Sequence, residues 1–346
     1  MKKKAVKAAI LGTLVPRGEN MSMLDSFGRQ INYARVSVTD RCNLRCVYCM
    51  PKKGENIGEN PLSLAAIKRA CTAFGALGIR KIKVTGGEPL VREDIADLLR
   101  DIKSIPGIEN VTLTTNGILL PRLLDKISPD ILSSVNISLD SISASSYSSI
   151  TRTGRLEDVL EGLNSTIMGG FKNIKINCVA IAGLNDAEIE GIAALAQDKD
   201  IAVRFIEIMP INIARQFKTL PQKEIATRLQ KRFGELVPCD GNFGNGPAVY
   251  YRPPGFCGKI GFISAISHRF CKTCNRIRLT SGGYLKTCLH FRNGLDLRSL
   301  LEGGAPVEEI SRQIERAIHE KPLGHVFGSS ANKYEEEFAG MSQIGG

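Results

Sequence analysis

The segment RVSVTDRCNLRCVYCMP, residues 35–51, carries the pattern from which the rest of the chain can be interpreted. It starts as a short run typical of a β-strand and continues into three cysteines within eight residues, Cys42, Cys46 and Cys49. Three thiolates at C-x3-C-x2-C spacing can bind three irons of a four-iron cube, whereas an electron-transfer cluster normally takes four thiolates. The remaining iron can then bind a small molecule, much as a catalytic zinc keeps one position open.

Two other interpretations of these cysteines stay open on spacing alone. They can form part of a zinc site whose fourth ligand lies elsewhere, or they can be three ordinary cysteines of the core. Thiolates are soft ligands, and three of them at this spacing suit the irons of a cluster. We therefore favour the cluster over zinc.

The cysteine motif resembles the signature of a known superfamily. Tyr48 supplies an aromatic residue just before the last cysteine, as in the radical S-adenosylmethionine (SAM) enzymes. A second motif, TGGEP at residues 85–89, closes a strand-like run and resembles the glycine-rich methionine-binding turn of the same superfamily. With both motifs in the expected order, the chain is identified as a member of this superfamily.

The composition narrows the possible partners. Of the 346 residues, 43% are apolar and 23% charged, which is typical of a soluble globular protein. The net charge of +11 indicates an anionic partner, such as a nucleotide, a nucleic acid or an acidic surface. No run approaches the roughly 18 apolar residues of a membrane helix, so we expect no membrane span.

The cysteine count indicates metal ligands and not disulfides. Six of the ten cysteines fall into two groups spaced as ligands, so we expect a reducing, cytoplasmic location. The other four stand singly, and we interpret them as small buried apolar residues: Cys71, Cys178, Cys239 and Cys257.

The sequence divides the chain into three regions. Residues 1–24 include LVPRG at residues 14–18, which resembles a protease-cleavable expression linker, and we expect this extension to be disordered. Residues 25–240 alternate strand-like and helical segments. Residues 241–346 form a C-terminal region that opens with a Gly- and Pro-rich stretch to residue 261, which we interpret as a linker or extended loop.

The middle region predicts a parallel α/β sheet with right-handed crossovers, because its strands alternate with amphipathic helices. Six such units favour an incomplete (β/α)6 barrel of the TIM type. Ser63 is a suitable N-cap for the first helix. The predicted strands are residues 34–38, 81–85, 111–115, 135–139, 174–181 and 201–208, and the predicted helices are residues 63–77, 94–104, 156–168 and 186–197.

Polar motifs follow these strands at their carboxyl ends, where the active residues of such barrels gather. Each residue singly is also an ordinary turn former, but together they predict one functional rim. They are Thr39, Asp40, Arg41, Gly86, Gly87, Glu88, Asn116, Gly117, Asp140, Ser141, Met209 and Pro210.

A second cysteine group lies in the C-terminal region. Cys271 and Cys274 form a C-x2-C pair, and Cys288 follows after thirteen further residues. Because His268 and His290 flank the group and C-x2-C is a common zinc half-site, zinc and an iron–sulfur cluster are equally good interpretations of the spacing.

A combination of features narrows the resemblance to one family. The early cysteines, the late segment CKTCNRIR at residues 271–278 with Cys288, and the terminal Gly345-Gly346 resemble the GTP 3',8-cyclase family of molybdenum-cofactor biosynthesis. The likeness covers residues 25–346. It implies a barrel whose mouth is closed by the C-terminal region, and a lyase that converts GTP into 3',8-cyclo-7,8-dihydro-GTP. In that reaction hydrogen is taken from the ribose C3', and C3' then bonds to guanine C8.

The resemblance also implies the cofactors and their ligands. Cys42, Cys46 and Cys49 would hold a [4Fe-4S] cluster that binds SAM, and the late cysteines a second [4Fe-4S] cluster that binds guanine. The SAM contacts implied are Tyr48, Gly87, Glu88, Ser138 and Met209. The GTP contacts implied are Arg35, Lys83, Thr114, Lys175, Arg204, Arg276, Ile277 and Arg278. Catalytic roles are implied for Arg276, Arg278, Gly345 and Gly346, the last two in a tail that returns to the site.

One residue departs from the family pattern. Lys83 stands where we expect arginine, so a point charge replaces the planar guanidinium fork. We therefore expect retained activity with weaker GTP binding.

The family resemblance also implies partners, and two alternative functions stay open. The family implies an external electron donor, a downstream cyclic pyranopterin monophosphate synthase and a homodimer, with no membrane or nucleic-acid partner. The rivals are a twin-cluster radical SAM enzyme that modifies a peptide and a basic zinc protein that binds nucleic acid. The second rival lacks an aromatic stacking platform, because only 6% of residues are aromatic and none is Trp.

Overall fold

The structure, a computed structural model, describes residues 23–50, 60–241, 243–244, 246–327 and 335–345. The expectation for residues 1–22 and the role assigned to Gly346 lie outside the described residues. Met23 and Leu24, which we placed in the extension, are part of the fold: Met23 is buried, and Leu24 forms an antiparallel bridge with Gln30.

The strands of the described residues form a single sheet, with the order β12-β11-β10-β1-β2-β3-β4-β5-β6-β9-β8-β7. All neighbours from β10 through β6 to β9 pair in parallel, whereas the outer strands pair antiparallel. The strands are β1 Tyr33–Ser37, β2 Lys81–Thr85, β3 Asn110–Thr115, β4 Ser134–Ser138, β5 Lys175–Ala180, β6 Ala202–Glu207, β7 Val237–Pro238, β8 Val249–Arg252, β9 Lys259–Ile263, β10 Arg276–Leu279, β11 Tyr284–Lys286 and β12 Gly294–Asp296.

Helices connect the parallel strands and bury their apolar faces against the sheet in one continuous core. In the first helix the Ser63 hydroxyl accepts a hydrogen bond from the Ala66 amide at 3.2 Å, so the predicted N-cap is confirmed. The helices are α1 Leu64–Ala76, α2 Ile95–Lys103, α3 Leu120–Leu123, α4 Ala144–Thr151, α5 Leu156–Met168, α6 Ile189–Ala194, α7 Gln222–Phe233, α8 Arg298–Glu302, α9 Val307–His319 and α10 Met341–Ile344.

The predicted incomplete barrel is confirmed, and the C-terminal region extends it at both edges. Strand β10 adds to β1 at one edge and β9 adds to β6 at the other. The sheet therefore runs across the sequence division at residue 240. The predicted linker is wrong in part, because β8 and the start of β9 lie within residues 241–261. Its glycines and prolines mark the turns, while Tyr250 of β8 lines the barrel cavity and Tyr251 packs against the core.

Two further predictions need correction. The predicted helix at residues 186–197 begins as a 3-10 turn, Asp186–Glu188, and its α-helical part is only Ile189–Ala194. Of the four single cysteines, Cys71 and Cys178 are buried as predicted, but Cys239 is half-buried and Cys257 is exposed. Cys257 lies in the turn before β9, where its amide donates to the Gln197 carbonyl.

The strand register aligns basic residues across the barrel. Arg278 on β10, Arg35 on β1 and Lys83 on β2 are direct neighbours in the ladder, so their side chains share one face. Within the described residues no helix is both long and apolar enough to cross a membrane.

Candidate functional site

A cavity of about 380 Å³ lies inside the barrel, and all six cysteines of the two groups line it. The first group lies in the loop after β1, at the carboxyl rim of the sheet, and Gly86, Gly87, Glu88, Asn116, Asp140 and Met209 of the predicted rim line the same cavity. The second group reaches it from the C-terminal region. One continuous space therefore joins the two sets of thiols.

The first cysteine loop is held by its own backbone and by burial. The Cys49 and Met50 amides donate to the Cys46 carbonyl, both at 3.0 Å, and this turn brings the thiols of the loop together. Burial raises the pKa of Cys42 to about 11 and that of Cys49 to about 12. Burial thus favours the protonated thiols in the free protein, and a metal that binds them would displace their protons.

The second cysteine group has the opposite electrostatic surroundings. Cys271 begins the short 3-10 turn Cys271–Thr273 before β10, and Cys274 directly follows it. Burial acts to raise the pKa of Cys274, but Lys321, Arg276 and Arg29 outweigh it and lower this pKa to about 7. A thiolate is thus already favoured there near neutral pH.

Each group presents three thiols to one cavity, the number that a four-iron cube with one open iron takes from the protein. A structural zinc site would take a fourth protein ligand. Within the described residues, no three His, Cys, Asp or Glu side chains are grouped as a site for a single ion. Of the flanking histidines, His290 lines the cavity, while His268 is exposed and bonds to the Ser267 hydroxyl.

All residues implied for SAM line the cavity: Tyr48, Gly87, Glu88, Ser138 and Met209. The reason for glycine at Gly87 lies in the cysteine loop itself. A Cβ on Gly87 would stand 2.4 Å from the Arg41 carbonyl oxygen and 2.6 Å from that of Asp40. The turn therefore packs directly on the backbone that leads into Cys42.

Glu88 ties this turn to the next strand. Its carboxylate accepts hydrogen bonds from the Leu90 amide at 3.0 Å, the Thr115 hydroxyl at 2.7 Å and the Asn116 amide at 2.6 Å. Burial nevertheless raises the pKa of Glu88 to about 7. Its oxygens can serve a ligand amine while they hold two loops of the rim together.

Asp140, predicted on the rim without a role, is a hydrogen-bond acceptor in the structure. Its carboxylate accepts a hydrogen bond from the Tyr48 hydroxyl at 2.5 Å and another from the Val179 amide at 2.8 Å. Burial raises its pKa to about 6. Asp140 thus fixes the tyrosine of the cysteine loop, a role that only the tertiary contact reveals.

The residues implied for GTP line the middle of the cavity, with one exception: Arg35, Lys83, Thr114, Lys175, Arg204, Arg276 and Arg278 all face it. Ile277 lies between the two arginines of β10 with its side chain buried in the core. The alternation of a strand explains both placements, since neighbours point to opposite faces. Ile277 can reach the cavity only through its backbone.

These cations are buried and repel one another. Burial and the nearby Arg204 lower the pKa of Lys175 to about 7 and that of Lys81 to about 8. Lys81 lines the cavity but was missed, although its spacing of two from Lys83 could have indicated it. Arg204 is oriented by donating to Asn136 at 2.6 Å and to Asn177 at 2.9 Å. Such a group of cations favours a polyanionic ligand.

The C-terminal tail crosses between the two cysteine groups. Glu337 forms a buried ion pair with Lys286, two residues before Cys288. Further along, the Ser342 amide donates to the Cys49 sulfur. The Gly345 carbonyl then accepts a hydrogen bond from Arg278 at 2.5 Å. The described part of the tail therefore ends inside the barrel, beside the cations.

A three-cysteine loop after the first strand of an incomplete parallel barrel defines the class of the radical SAM enzymes. The Radical SAM superfamily model matches residues 36–196, and the Molybdenum Cofactor Synthesis C model matches residues 201–327. Relatives named GTP 3',8-cyclase are 44% identical over 329 residues in Alkaliphilus oremlandii and 42% over 330 in Geobacter sulfurreducens. Both alignments cover 94% of this chain and 100% of the relative. The chain belongs to the GTP 3',8-cyclase family.

Solved structures share the fold at low sequence identity. The crystal structure of Streptococcus suis SuiB bound to S-adenosylmethionine has a TM-score of 0.56 and 13% identity, and the match covers 89% of this chain and 76% of SuiB. At this identity the likeness concerns the fold alone.

Proposed function

We propose that the protein converts GTP into 3',8-cyclo-7,8-dihydro-GTP, the first step of molybdenum-cofactor biosynthesis. One observation carries the proposal: two three-cysteine groups open onto one cavity, and a row of buried cations lies in it. The full-length family match supports the same reaction. The enzyme is thus a lyase with SAM and two [4Fe-4S] clusters as cofactors.

The residues present fit these cofactors. Each group offers three thiols, the number that leaves one iron open. Near the second group, Arg276 Nε, Thr287 Oγ1 and His325 Nδ1 are buried without a hydrogen-bond partner, as expected for a site built for a polar ligand. Cys42, Cys46 and Cys49 would hold the first cluster together with SAM, which would supply the radical chemistry that removes H3' from the ribose. The external donor would supply the electron that, with a proton, completes the dihydro product once C3' has bonded to C8.

The contribution of the chain itself is positioning. The guanidinium groups of Arg35, Arg276 and Arg278 can pair with phosphate oxygens in bidentate fashion. The C-terminal cysteine group fixes the guanine end of the nucleotide, and the first group fixes SAM. Positioning of two reactants in this way can contribute roughly 7–11 kcal/mol in favourable cases.

The rival reaction, modification of a peptide, is not supported. SuiB, which has also been solved bound to the precursor peptide SuiA, shares the barrel, but the cyclase relatives match this chain along their whole length. A buried row of cations also suits a triphosphate better than a peptide backbone.

The wild-type reaction is the direct test. The protein should be reconstituted without oxygen and incubated with SAM, a low-potential reductant and GTP. We expect 3',8-cyclo-7,8-dihydro-GTP and 5'-deoxyadenosine in the products. Formation of 5'-deoxyadenosine with no change in GTP would contradict the proposal.

The Lys83→Arg variant is expected to bind GTP about tenfold more tightly, with catalysis retained. Burial and the neighbouring Arg204 and Arg35 hold the pKa of Lys83 well below its ordinary value. An arginine there stays charged and adds a charge-assisted hydrogen bond to phosphate. Equilibrium GTP binding measures the change, with the exposed Lys68→Arg as control. Equal affinities of wild type and Lys83→Arg would refute it.

GTP affinity should fall as the pH rises from 7.5 to 9, by about tenfold. In the free protein the pKa of Lys175 is about 7, so the amine is mostly neutral above that value. Because the triphosphate binds the protonated amine, binding takes up a proton and weakens as protons become scarce. Calorimetry in two buffers of different ionisation enthalpy measures this uptake. The Lys175→Arg variant should show a flatter profile, and an equally steep one would argue against Lys175.

We also propose the setting in which the enzyme works. It takes electrons from an external donor, passes its product to a cyclic pyranopterin monophosphate synthase, forms a homodimer and resides in the cytoplasm. Family membership supports the external electron donor and the downstream synthase. The reduced thiols of the two cysteine groups suit a reducing compartment.

A further inference from the structure

The C-terminal cysteine loop has little structure of its own. Cys271 begins a single 3-10 turn and Cys274 directly follows it, and the Cys274 amide donates to the Cys271 carbonyl at 3.2 Å. Such a short turn contributes little stability by itself. The positions of two cluster ligands therefore depend on what packs behind the loop.

Arg29 lies behind this loop, although it is 242 residues away in sequence. One of its terminal nitrogens donates to the Cys271 carbonyl at 2.9 Å and to the Leu323 carbonyl at 2.7 Å. The other donates to the Pro322 carbonyl at 2.7 Å. The guanidinium thus joins the cysteine loop to the segment that follows α9.

Asp25 holds the guanidinium in this orientation. Its carboxylate accepts from Arg29 Nε at 2.6 Å, and the side chains of both residues are almost fully buried, at 5% and 0% exposure. The same carboxylate accepts from the Arg29 and Phe27 amides, both at 2.9 Å. The N-terminal turn is therefore built around one carboxylate that aims one guanidinium.

The segment bound by Arg29 lies in direct contact with the cysteine ligand Cys271. A Cβ on Gly324 would stand 2.8 Å from the Cys271 Cβ and 3.2 Å from its sulfur. Next to it, Lys321 Nζ donates to the Arg276 carbonyl at 3.1 Å and also to the Thr287 carbonyl, beside Cys288. A shift of this segment would move the ligands on both sides of it.

We propose that Asp25 and Arg29 are positioning residues for the C-terminal iron–sulfur cluster, an inference that rests on the proposed function for the presence of that cluster. Loss of the guanidinium leaves three carbonyls without their donor and Asp25 without its cation. Mutation of residues that hydrogen-bond behind metal ligands typically lowers the affinity for the metal by about 10–100-fold.

The test uses two proteins that each keep one cluster. One carries C42S, C46S and C49S, and the other carries C271S, C274S and C288S. Each is reconstituted without oxygen to about four irons per chain, and iron loss to a chelator is timed with and without Arg29→Met. We expect iron loss about tenfold faster in the protein that keeps the C-terminal cluster, and no change in the other.

A matched control separates this effect from general destabilisation. Arg92 also donates to two backbone carbonyls, of Val38 at 2.8 Å and Leu62 at 3.0 Å, and pairs with Asp94. Arg92→Met should leave iron loss from the C-terminal cluster unchanged. Arg29→Lys keeps the charge but not the fork, so it should give an intermediate rate, and it decides the question if Arg29→Met does not fold.

Two results would overturn the inference alone: unchanged iron loss from the C-terminal cluster, or equal acceleration in both proteins. If the unaltered C-terminal cysteines bind no iron, the proposed function fails together with it. That outcome is recognised before any Arg29 variant is made, so the two failures are distinguishable.

Discussion

Removal of Gly345 and Gly346 will abolish cyclisation while both iron–sulfur clusters remain bound. The truncation removes the carbonyl that accepts from Arg278 inside the barrel. Arg278 is fully buried among cations, and burial together with Arg35 and Arg276 holds its pKa well below the ordinary value. Without the tail its guanidinium can turn away from the nucleotide. Because a displacement of about 1 Å can cost 10²-fold in rate, we expect a loss of at least about 100-fold.

The measurements are cyclised product per chain, iron content and 5'-deoxyadenosine. Iron should stay at the wild-type value, because the tail supplies no cysteine. Full product formation by the truncated protein would refute the role of the tail.

Alanine substitutions at two glycines of the tail provide a second test of its role. Gly345 has φ +77°, and a Cβ there would stand 3.2 Å from the Ser37 Cβ, so Gly345→Ala is strained. Gly340, in the same tail, has φ −68°, and an added Cβ would make only ordinary van der Waals contacts, the nearest at 3.5 Å to the Cys49 carbonyl oxygen. Gly340→Ala should therefore remain active. Equal loss in both variants would indicate that any change in the tail is harmful.

Serine substitution of each cysteine group in turn will separate SAM cleavage from GTP cyclisation. The C42S, C46S, C49S protein should neither cleave SAM nor cyclise GTP, because it lacks the thiols that we propose as ligands of the SAM-binding cluster. The C271S, C274S, C288S protein should still form 5'-deoxyadenosine but make at least about 100-fold less cyclised product. In that protein the guanine has lost its anchor while the radical source remains.

The control for this experiment is Cys257→Ser, since Cys257 is exposed and lies outside both groups. It should match the wild type in iron content and in both activities. Cyclisation by the protein without the C-terminal group would contradict the role of the second cluster. Zinc bound in place of iron at the C-terminal cysteine group would also contradict the role of the second cluster.

Segments with a strong local period were predicted well. Helix α5 and strand β2 have the bounds that the sequence indicated. The three-cysteine loop, the glycine turn and the basic pair on β10 also lie where their spacing placed them, on one cavity. In each case the signal is local, since apolar spacing fixes a helix face and alternation fixes a strand face.

Segments whose structure depends on distant partners were not predicted. Helices α4, α7 and α9 and the short edge strands β7, β8, β11 and β12 escaped notice. Asp140 was predicted on the functional rim without a role, and Lys81 was not predicted as a site residue. The role of Asp140 comes from its contact with Tyr48, and that of Lys81 from its position near Arg204 and Arg276 on other strands. The Asp25–Arg29 turn gave no signal at all, since its partners are Cys271, Pro322 and Leu323.

Local spacing was enough to predict which thiols form two groups of three, which turn could contact SAM and which cations could meet a triphosphate. That these groups face one space follows from the tertiary fold alone, because it depends on β10 pairing with β1 and β9 with β6. Such pairing between distant segments is set by the packing of the whole sheet, and no local spacing records it.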